Sequence, residues 1–367
     1  MSPQPEPFGS LSQEELTLTE QASRIISERK EAGLDGLVGG LDSVIIATET
    51  NHLEPAAYEL LRYTGLSCTA SFFDDESQSY VLGLPGSASV IVRSRSTARN
   101  PFGDANKAQL TGHIPNTRLE TFVFSTPDIR NYIGIQKKRG VRFLTPEPTE
   151  SDHFLFIQTF PSPFTGNSTG FIEWKDDVRS YLPRGATAVS PDLAKPKFRH
   201  LKNISILDHT ATRVRAQDRS AAILEFLSLT NYHYDFAVHV KSLNSITSVA
   251  RRTPEDFAMV FTSGIVPFTT PEESGPTEKF IRNYGTRVHH MAFRTEKIET
   301  TVAMLKKDHM EFLLELVGSE EEGLKQIFSE PSRHTMIVNE YIHRYGGFDG
   351  FFTRSNVEKL TEATGKQ

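Results

Sequence analysis

The chain has 367 residues, 37% of them hydrophobic and 23% charged, with a formal net charge of −6. That length favours two domains over one core, and the charge argues against a duplex nucleic-acid binder, which needs a clustered basic surface. A single cysteine, Cys68, allows neither an internal disulfide nor a thiolate zinc site, so any metal must be held by histidine and carboxylate.

The first ten residues are rich in Pro and Ser and read as disordered. They lack the apolar core of a signal peptide, and no apolar run approaches the ~20 residues of a membrane span. The expectation is a cytoplasmic protein with neither membrane nor nucleic-acid partners. Ser12 and Glu15 form a capping box that opens a charged helix to about residue 32.

From there one unit recurs. A strand over 41–47 precedes a helix over 54–63 and strands over 68–73, 80–84 and 88–93. A second copy begins with a strand over 119–125, followed by a helix over 128–138 and strands near 154–159 and 170–173. The third begins at 204–213, with a helix over 219–228 and strands over 232–236, 245–249 and 258–262. In the fourth, a strand over 288–293 leads to a helix over 297–307 and strands near 311–314, 324–328 and 335–341. Four βαβββ units imply an α+β fold of two domains, each a pair of modules forming a half-open barrel. The Pro-bearing stretch 182–197 is the natural linker. The expected division is a tail and helix over 1–35, an N-terminal domain over 36–190 without metal, and a C-terminal catalytic domain over 191–367. A last helix over 355–364 follows the turn Gly346-Gly347-Phe348-Asp349-Gly350. Exposed sheet edges in such domains leave room for a homo-oligomer.

Of the twelve histidines, most lie in polar or loop contexts. His209 and His290 stand at matched places on the first strands of the third and fourth modules, and Glu340 lies on the fourth module's last strand. Converging in one half-barrel, two imidazoles and one carboxylate leave three open positions on Fe(II), as an O2-using oxygenase requires. His289 competes with His290 on spacing alone. Strand alternation puts the two on opposite faces, so one of them points into the barrel.

The C-terminal half resembles the 4-hydroxyphenylpyruvate dioxygenase family of the vicinal oxygen chelate fold. The resemblance rests on Leu207-Asp208-His209, Leu243-Asn244-Ser245, Val288-His289-His290-Met291-Ala292, Gln326-Ile327-Phe328 and Glu340-Tyr341-Ile342-His343-Arg344, in that order. It implies iron ligands at His209, His290 and Glu340, and a 2-oxo acid that chelates Fe(II) while O2 takes the remaining position. The substrate's own 2-oxo group then supplies the electrons. Phe328 would stack on the substrate ring, with Gln326, Ser245 and His289 as further pocket residues. The N-terminal half matches in layout only, and its first strand offers Asp42 where the other offers His209.

Within the family, dioxygenases make homogentisate and 4-hydroxymandelate synthases hydroxylate the benzylic carbon. Ser263 and Ile265 replace the dioxygenases' Pro-x-Asn, and Val357 replaces a Phe on the C-terminal helix. These changes resemble the synthases: Val frees space beside the ring, and Ile265 cannot donate a hydrogen bond as Asn does. The expected reaction is therefore 4-hydroxyphenylpyruvate to 4-hydroxymandelate, with homogentisate as the alternative product. Three departures leave room for another 2-oxo acid: His289 stands where the family has Gln, Gly275 or a neighbour stands where it has another pocket Gln, and the connection from His290 to Glu340 is short. Extradiol ring cleavage, a glyoxalase-type lyase and a non-catalytic binding protein are the competing classes. The Gln-Ile-Phe motif, Asp42 and the intact triad argue against them in turn.

Overall fold

The computed structural model describes residues 13–96, 99–191, 193–346, 348 and 350–366. The expected tail, Ser12 of the capping box, and Gly347 and Asp349 of the turn lie outside them. Helix α1 (Gln13–Glu31) precedes a nine-stranded sheet built from β1 (Leu41–Thr48), β2 (Ser67–Phe73), β3 (Ser77–Gly83), β4 (Ser89–Arg95), β5 (Arg118–Ser125), β6 (Thr149–Glu150), β7 (Phe154–Gln158), β8 (Ser168–Trp174) and β9 (Thr187–Val189). An eight-stranded sheet follows, from β10 (Ile204–Arg213), β11 (His233–Val240), β12 (Ser245–Arg251), β13 (Ala258–Ser263), β14 (Arg287–Thr295), β15 (Val317–Ser319), β16 (Leu324–Phe328) and β17 (Val338–Arg344). Helices α2 (Leu53–Tyr63), α3 (Ile129–Lys138), α4 (Arg219–Leu229) and α6 (Ile298–Lys307) each follow the first strand of a module, and α5 (Pro276–Tyr284) and α7 (Arg354–Ala363) flank the second sheet.

Each module closes on itself in the same way. Its first and last strands pair in parallel, β1 with β4, β5 with β8, β10 with β13 and β14 with β17. Parallel neighbours need a long crossover, which the helix and two intervening strands supply. Two modules then join through their first strands, β1 antiparallel to β5 and β10 antiparallel to β14. The result is two curled sheets in the two-domain α+β architecture of the vicinal oxygen chelate fold.

Strand alternation divides each sheet into two faces. In the first, Val44, Ile46, Val90 and Val92 enter a large core with the helices, while Ile45 and Ile91 face the concave side. The large core is continuous through both halves, joining Leu60 and Leu61 of α2 to Phe226 and Leu227 of α4 and to Phe293 and Tyr341. The concave faces are thereby left to bind ligands. Among the described residues, no helix is long and apolar enough to cross a membrane.

Three elements differ from the sequence reading. The proline-rich stretch carries β9, which pairs with β2 through Ser71 and Val189; three residues are too few to show a period. In the fourth module the strand lies at Val317–Ser319, and Phe312 makes only an isolated bridge to Ser329. Helix α5 lies outside the four modules read from the sequence, with Pro276 at its first turn and Gly285 (φ 78°) after its end as ordinary helix punctuation.

The β10–β14 ladder has two bulges next to His209 and His290. Leu207 pairs with Phe293 and His209 with Ala292, which leaves Asp208 as the extra residue on β10. Ala211 pairs with His290 and Thr212 with Val288, which leaves His289 as the extra residue on β14. A bulge breaks alternation and re-aims the side chain beside it.

Candidate metal centre

Glu340 lies between the two histidines. Its Oε2 is 3.1 Å from Nε2 of His209 and 3.3 Å from Nε2 of His290, and all three residues are buried. The three ligand atoms lie within 4.8 Å of one another. His209 Nε2 and Glu340 Oε2 have no hydrogen-bond partner. Leaving such atoms unsatisfied in the interior costs on the order of 1–3 kcal/mol each, and a cation between them would satisfy the whole set. The group can hold a metal ion.

The bulges set the imidazoles for that role. Asp208 Oδ1 lies 2.8 Å from His209 Nδ1, with Arg294 Nε 2.7 Å and Arg344 Nη1 2.7 Å from the other oxygen. Burial pushes the Asp208 carboxyl up, but Arg344 and His209 outweigh it and hold it well below the usual carboxylate range. An ionised Asp208 accepts the Nδ1 proton and leaves the Nε2 lone pair for the metal. On β14, His290 Nδ1 lies 2.9 Å from His289 Nδ1. The expected opposite placement of these two histidines fails because His289 is the bulge residue: both line one cavity. With Nε2 of His290 toward the metal, its Nδ1–H donates to His289. Burial, His289, His209 and Arg213 push His290 well below the usual imidazole range, which favours the neutral form that metals require.

Glu340 is fixed in the same manner. Gln326 Nε2 donates to Glu340 Oε1 at 2.6 Å, and Asn356 Nδ2 of α7 donates to Gln326 Oε1 at 3.0 Å. Both ends of the Gln326 amide are therefore committed to protein partners.

Of the expected pocket residues, Ser245, His289, Gln326, Phe328 and Val357 line the cavity beside the triad. The Phe328 ring centroid is 4.7 Å from that of His290. Ser263 and Ile265 do not line it. Val260 and Thr262 take the pocket face of β13, alternation turns Ser263 away, and Ile265 lies beyond the strand's end. At Gly275 an added Cβ would meet the Leu243 carbonyl oxygen at 2.0 Å, so the polar group from α5 is Thr277 instead. Phe351 and Phe352 pack on His209 with centroids at 5.3 and 5.2 Å.

Sequence reasoning missed Arg213. It stands on β10 two and four residues beyond Ala211 and His209, and lines the same cavity. It is 4% exposed, and its Nη1 has no hydrogen-bond partner. Burial alone pushes its pKa down to about 9, so it remains a cation at neutral pH, with its guanidinium 4.4 Å over the Phe280 ring. Its spacing of four from His209 along one strand face was the available signal.

The N-terminal sheet repeats this layout without the ligands. Its β1–β5 ladder bulges at Asp42 and at Glu120, so Asp42 corresponds to Asp208, not to His209. Registers place Ser43, Thr121 and Gly170 where the other half has His209, His290 and Glu340. Asp42 accepts from Trp174 Nε1 at 2.8 Å and from the Tyr181 hydroxyl at 2.7 Å.

The chain has the vicinal oxygen chelate fold, with a buried two-histidine, one-carboxylate group in its C-terminal sheet. No protein-family model matches the chain. Among solved structures it is similar to a triple mutant of 4-hydroxymandelate synthase from Streptomyces coelicolor, with a TM-score of 0.68 and 16% identity over 90% of this chain and 98% of that one. It is also similar to a fusion protein of a xylose isomerase-like TIM barrel and 4-hydroxyphenylpyruvate dioxygenase, with a TM-score of 0.60 and 12% identity, covering 98% of this chain and 60% of that one. At these identities the likeness is one of fold.

Proposed function

We propose that this protein is a cytoplasmic Fe(II)-dependent dioxygenase of the 4-hydroxyphenylpyruvate dioxygenase type. It decarboxylates an aryl 2-oxo acid oxidatively and hydroxylates it, with 4-hydroxyphenylpyruvate to 4-hydroxymandelate as the best-supported reaction. The observation that carries the reading is the convergence of His209, His290 and Glu340, with His209 Nε2 and Glu340 Oε2 left without a hydrogen-bond partner. Iron bound there would supply chelation of the 2-oxo acid and activation of O2.

The chain's own residues do the rest. Asp208 and His289 hold the imidazole tautomers, Gln326 holds the carboxylate, and Phe328 and Val357 wall the ring's space. The cavity is about 50 Å³, well below the roughly 300 Å³ at which ligand pockets begin, so an aryl ring needs the cavity to widen. Support for benzylic hydroxylation now rests on Val357, since Ile265 is off the pocket. Val357→Phe should shift product toward ring hydroxylation; an unchanged product would show that α7 does not steer the outcome.

Arg213 favours a second reading, a 2-oxo acid with an anionic group at its far end. A buried cation without a counter-ion is costly, and an anionic substrate group would offset it. The deciding experiment loads Fe(II) anaerobically, adds O2 with 4-hydroxyphenylpyruvate or with 4-carboxyphenylpyruvate, and identifies products by mass spectrometry. 4-Hydroxymandelate supports the synthase reading, homogentisate replaces it with the dioxygenase, and preferential turnover of the carboxy compound selects the second reading. No CO2 release from any aryl 2-oxo acid sinks the class.

A further inference from the structure

The concave face of the N-terminal sheet encloses a cavity of about 440 Å³. That volume is within the usual range of small-molecule sites. Its lining is mixed, with an apolar part that includes Phe72, Phe154, Phe156, Ile91 and Ile172. Two arginines of β4, Arg93 and Arg95, share one face of the strand and line the same cavity.

Those arginines are short of anions. Both reach the buried carboxylate of Glu120, the bulge residue of β5, with one Nη2 each, that of Arg95 at 2.5 Å. One carboxylate cannot satisfy two five-donor forks. Nη1 of Arg95 and Nε of Arg93 are buried with no hydrogen-bond partner, and the Arg95 side chain is only 7% exposed. The remaining charges on the lining lie toward the rim. Glu76 and Arg99 are exposed, and Asp74 Oδ1 is occupied by the β2–β3 turn, accepting from the Glu76 and Ser77 amides. The deep end of the cavity therefore holds two cations, one carboxylate and unfilled donors against an aromatic wall.

We propose that this half-barrel is a second binding site, specific for a single-ring aryl carboxylate whose carboxylate is held by Arg95 and Arg93 and whose ring lies against the phenylalanines. Ser43, Thr121 and Gly170 stand at its would-be ligand positions, so binding there is independent of metal. Charge-assisted bonds to carboxylate supply the affinity, and the ring's burial supplies the apolar part.

The chain carries its own reporter. Its single tryptophan, Trp174, has its ring centroid 5.8 Å from that of Phe154 and 5.0 Å from that of Tyr181, both of which line the cavity. The test titrates the full-length protein, free of added metal, with phenylacetate, which lacks the 2-oxo group needed for chelation. A saturable change in Trp174 emission is expected, with a midpoint raised about tenfold or more in Arg95→Gln, as losing ~1.4 kcal/mol of contact requires, and raised less in Arg95→Lys. Glu340→Gln should leave the midpoint unchanged. Phenylacetamide, the same ring without the charge, should bind at least about tenfold more weakly, a comparison in the parent protein that stands even if Arg95 variants fail to fold. Absence of saturation, equal binding of the amide, or a midpoint that moves with Glu340→Gln would overturn the proposal. Because no iron or O2 is present, none of these outcomes depends on the reaction assigned to the other half.

Discussion

At the scale of single residues, His209 and His290 of the candidate metal centre are each held by the residue beside them. Asp208 meets His209 at Nδ1, while Glu340 lies at the ring's Nε2, and the Asp208 carboxylate favours the proton on Nδ1. Asp208→Asn keeps the shape but removes the charge, and metal affinity should fall by about 10–100-fold, the usual cost of losing such a partner. Co(II) titration followed by its visible absorption would measure this, and an unchanged affinity would remove Asp208 from the site's support. Arg213 behaves oppositely. Its uncompensated burial predicts that Arg213→Met raises stability by at least about 1 kcal/mol, seen as a higher Tm, while raising KM for the preferred substrate about tenfold. A loss of stability with unchanged KM would show that Arg213 serves packing alone.

At the scale of elements, α1 is attached to the second sheet's module by a buried carboxylate. Glu15 lies 2.6 Å from Arg219 of α4, and Tyr234 and His239 of β11 also reach it. Burial pushes its pKa up, but His239, Tyr234 and Arg219 outweigh burial and lower it from 4.5 to about 2. A folded pKa below the unfolded one means the stabilisation is fully present above pH 4.5 and is lost as the pH falls toward 2. Glu15→Gln should cost roughly 3 kcal/mol at neutral pH, because the buried Arg219 keeps only the largely exposed Glu14, 3.2 Å away, as a counter-ion, and should flatten the acid limb in urea titrations at pH 5 and pH 3. Equal acid sensitivity in the variant would place that limb elsewhere. The bulges belong to this scale too. Alternation is a property of a regular ladder, and inserting one residue at 208 and one at 289 places two adjacent pairs of side chains together.

At the scale of the whole molecule, the two half-barrels share one core. Arg29 of α1, 1% exposed, donates from Nη1 to the carbonyls of Leu227, Thr230 and Tyr232, and Arg62 of α2 pairs with Asp308 at 2.7 Å. Arg118 of β5 donates to the Thr286 carbonyl, and Arg287 of β14 to that of Thr117. With so much apolar and polar contact crossing between the halves, unfolding should be a single cooperative transition. Trp174 emission, which reports on the first sheet, should coincide in urea midpoint with far-UV circular dichroism, which reports on both. An earlier Trp174 midpoint would mean that the halves unfold separately.

The sequence by itself determined the four modules and pointed to the candidate triad. Strands and crossover helices impose periods of two and about 3.6 on apolar residues, and a strand–helix–three-strand order repeated four times leaves few ways to build two sheets. His209 and His290 could be picked out because they fall at matched places in that repeat, and Glu340 because it opens the Glu340-Tyr341-Ile342-His343-Arg344 segment of the fourth module's last strand. Tertiary structure alone decided what surrounds them. Registers displaced Ser263 and Ile265 from the pocket and brought in Thr262, Thr277 and Arg213. The bulge at His289 overrode the alternation that had separated it from His290. Such features depend on how one strand meets another, and a bulge is set by its neighbour's hydrogen bonds rather than by its own residue type. For the same reason, only the assembled sheet showed that the half without metal ligands encloses a cavity with two arginines sharing one carboxylate.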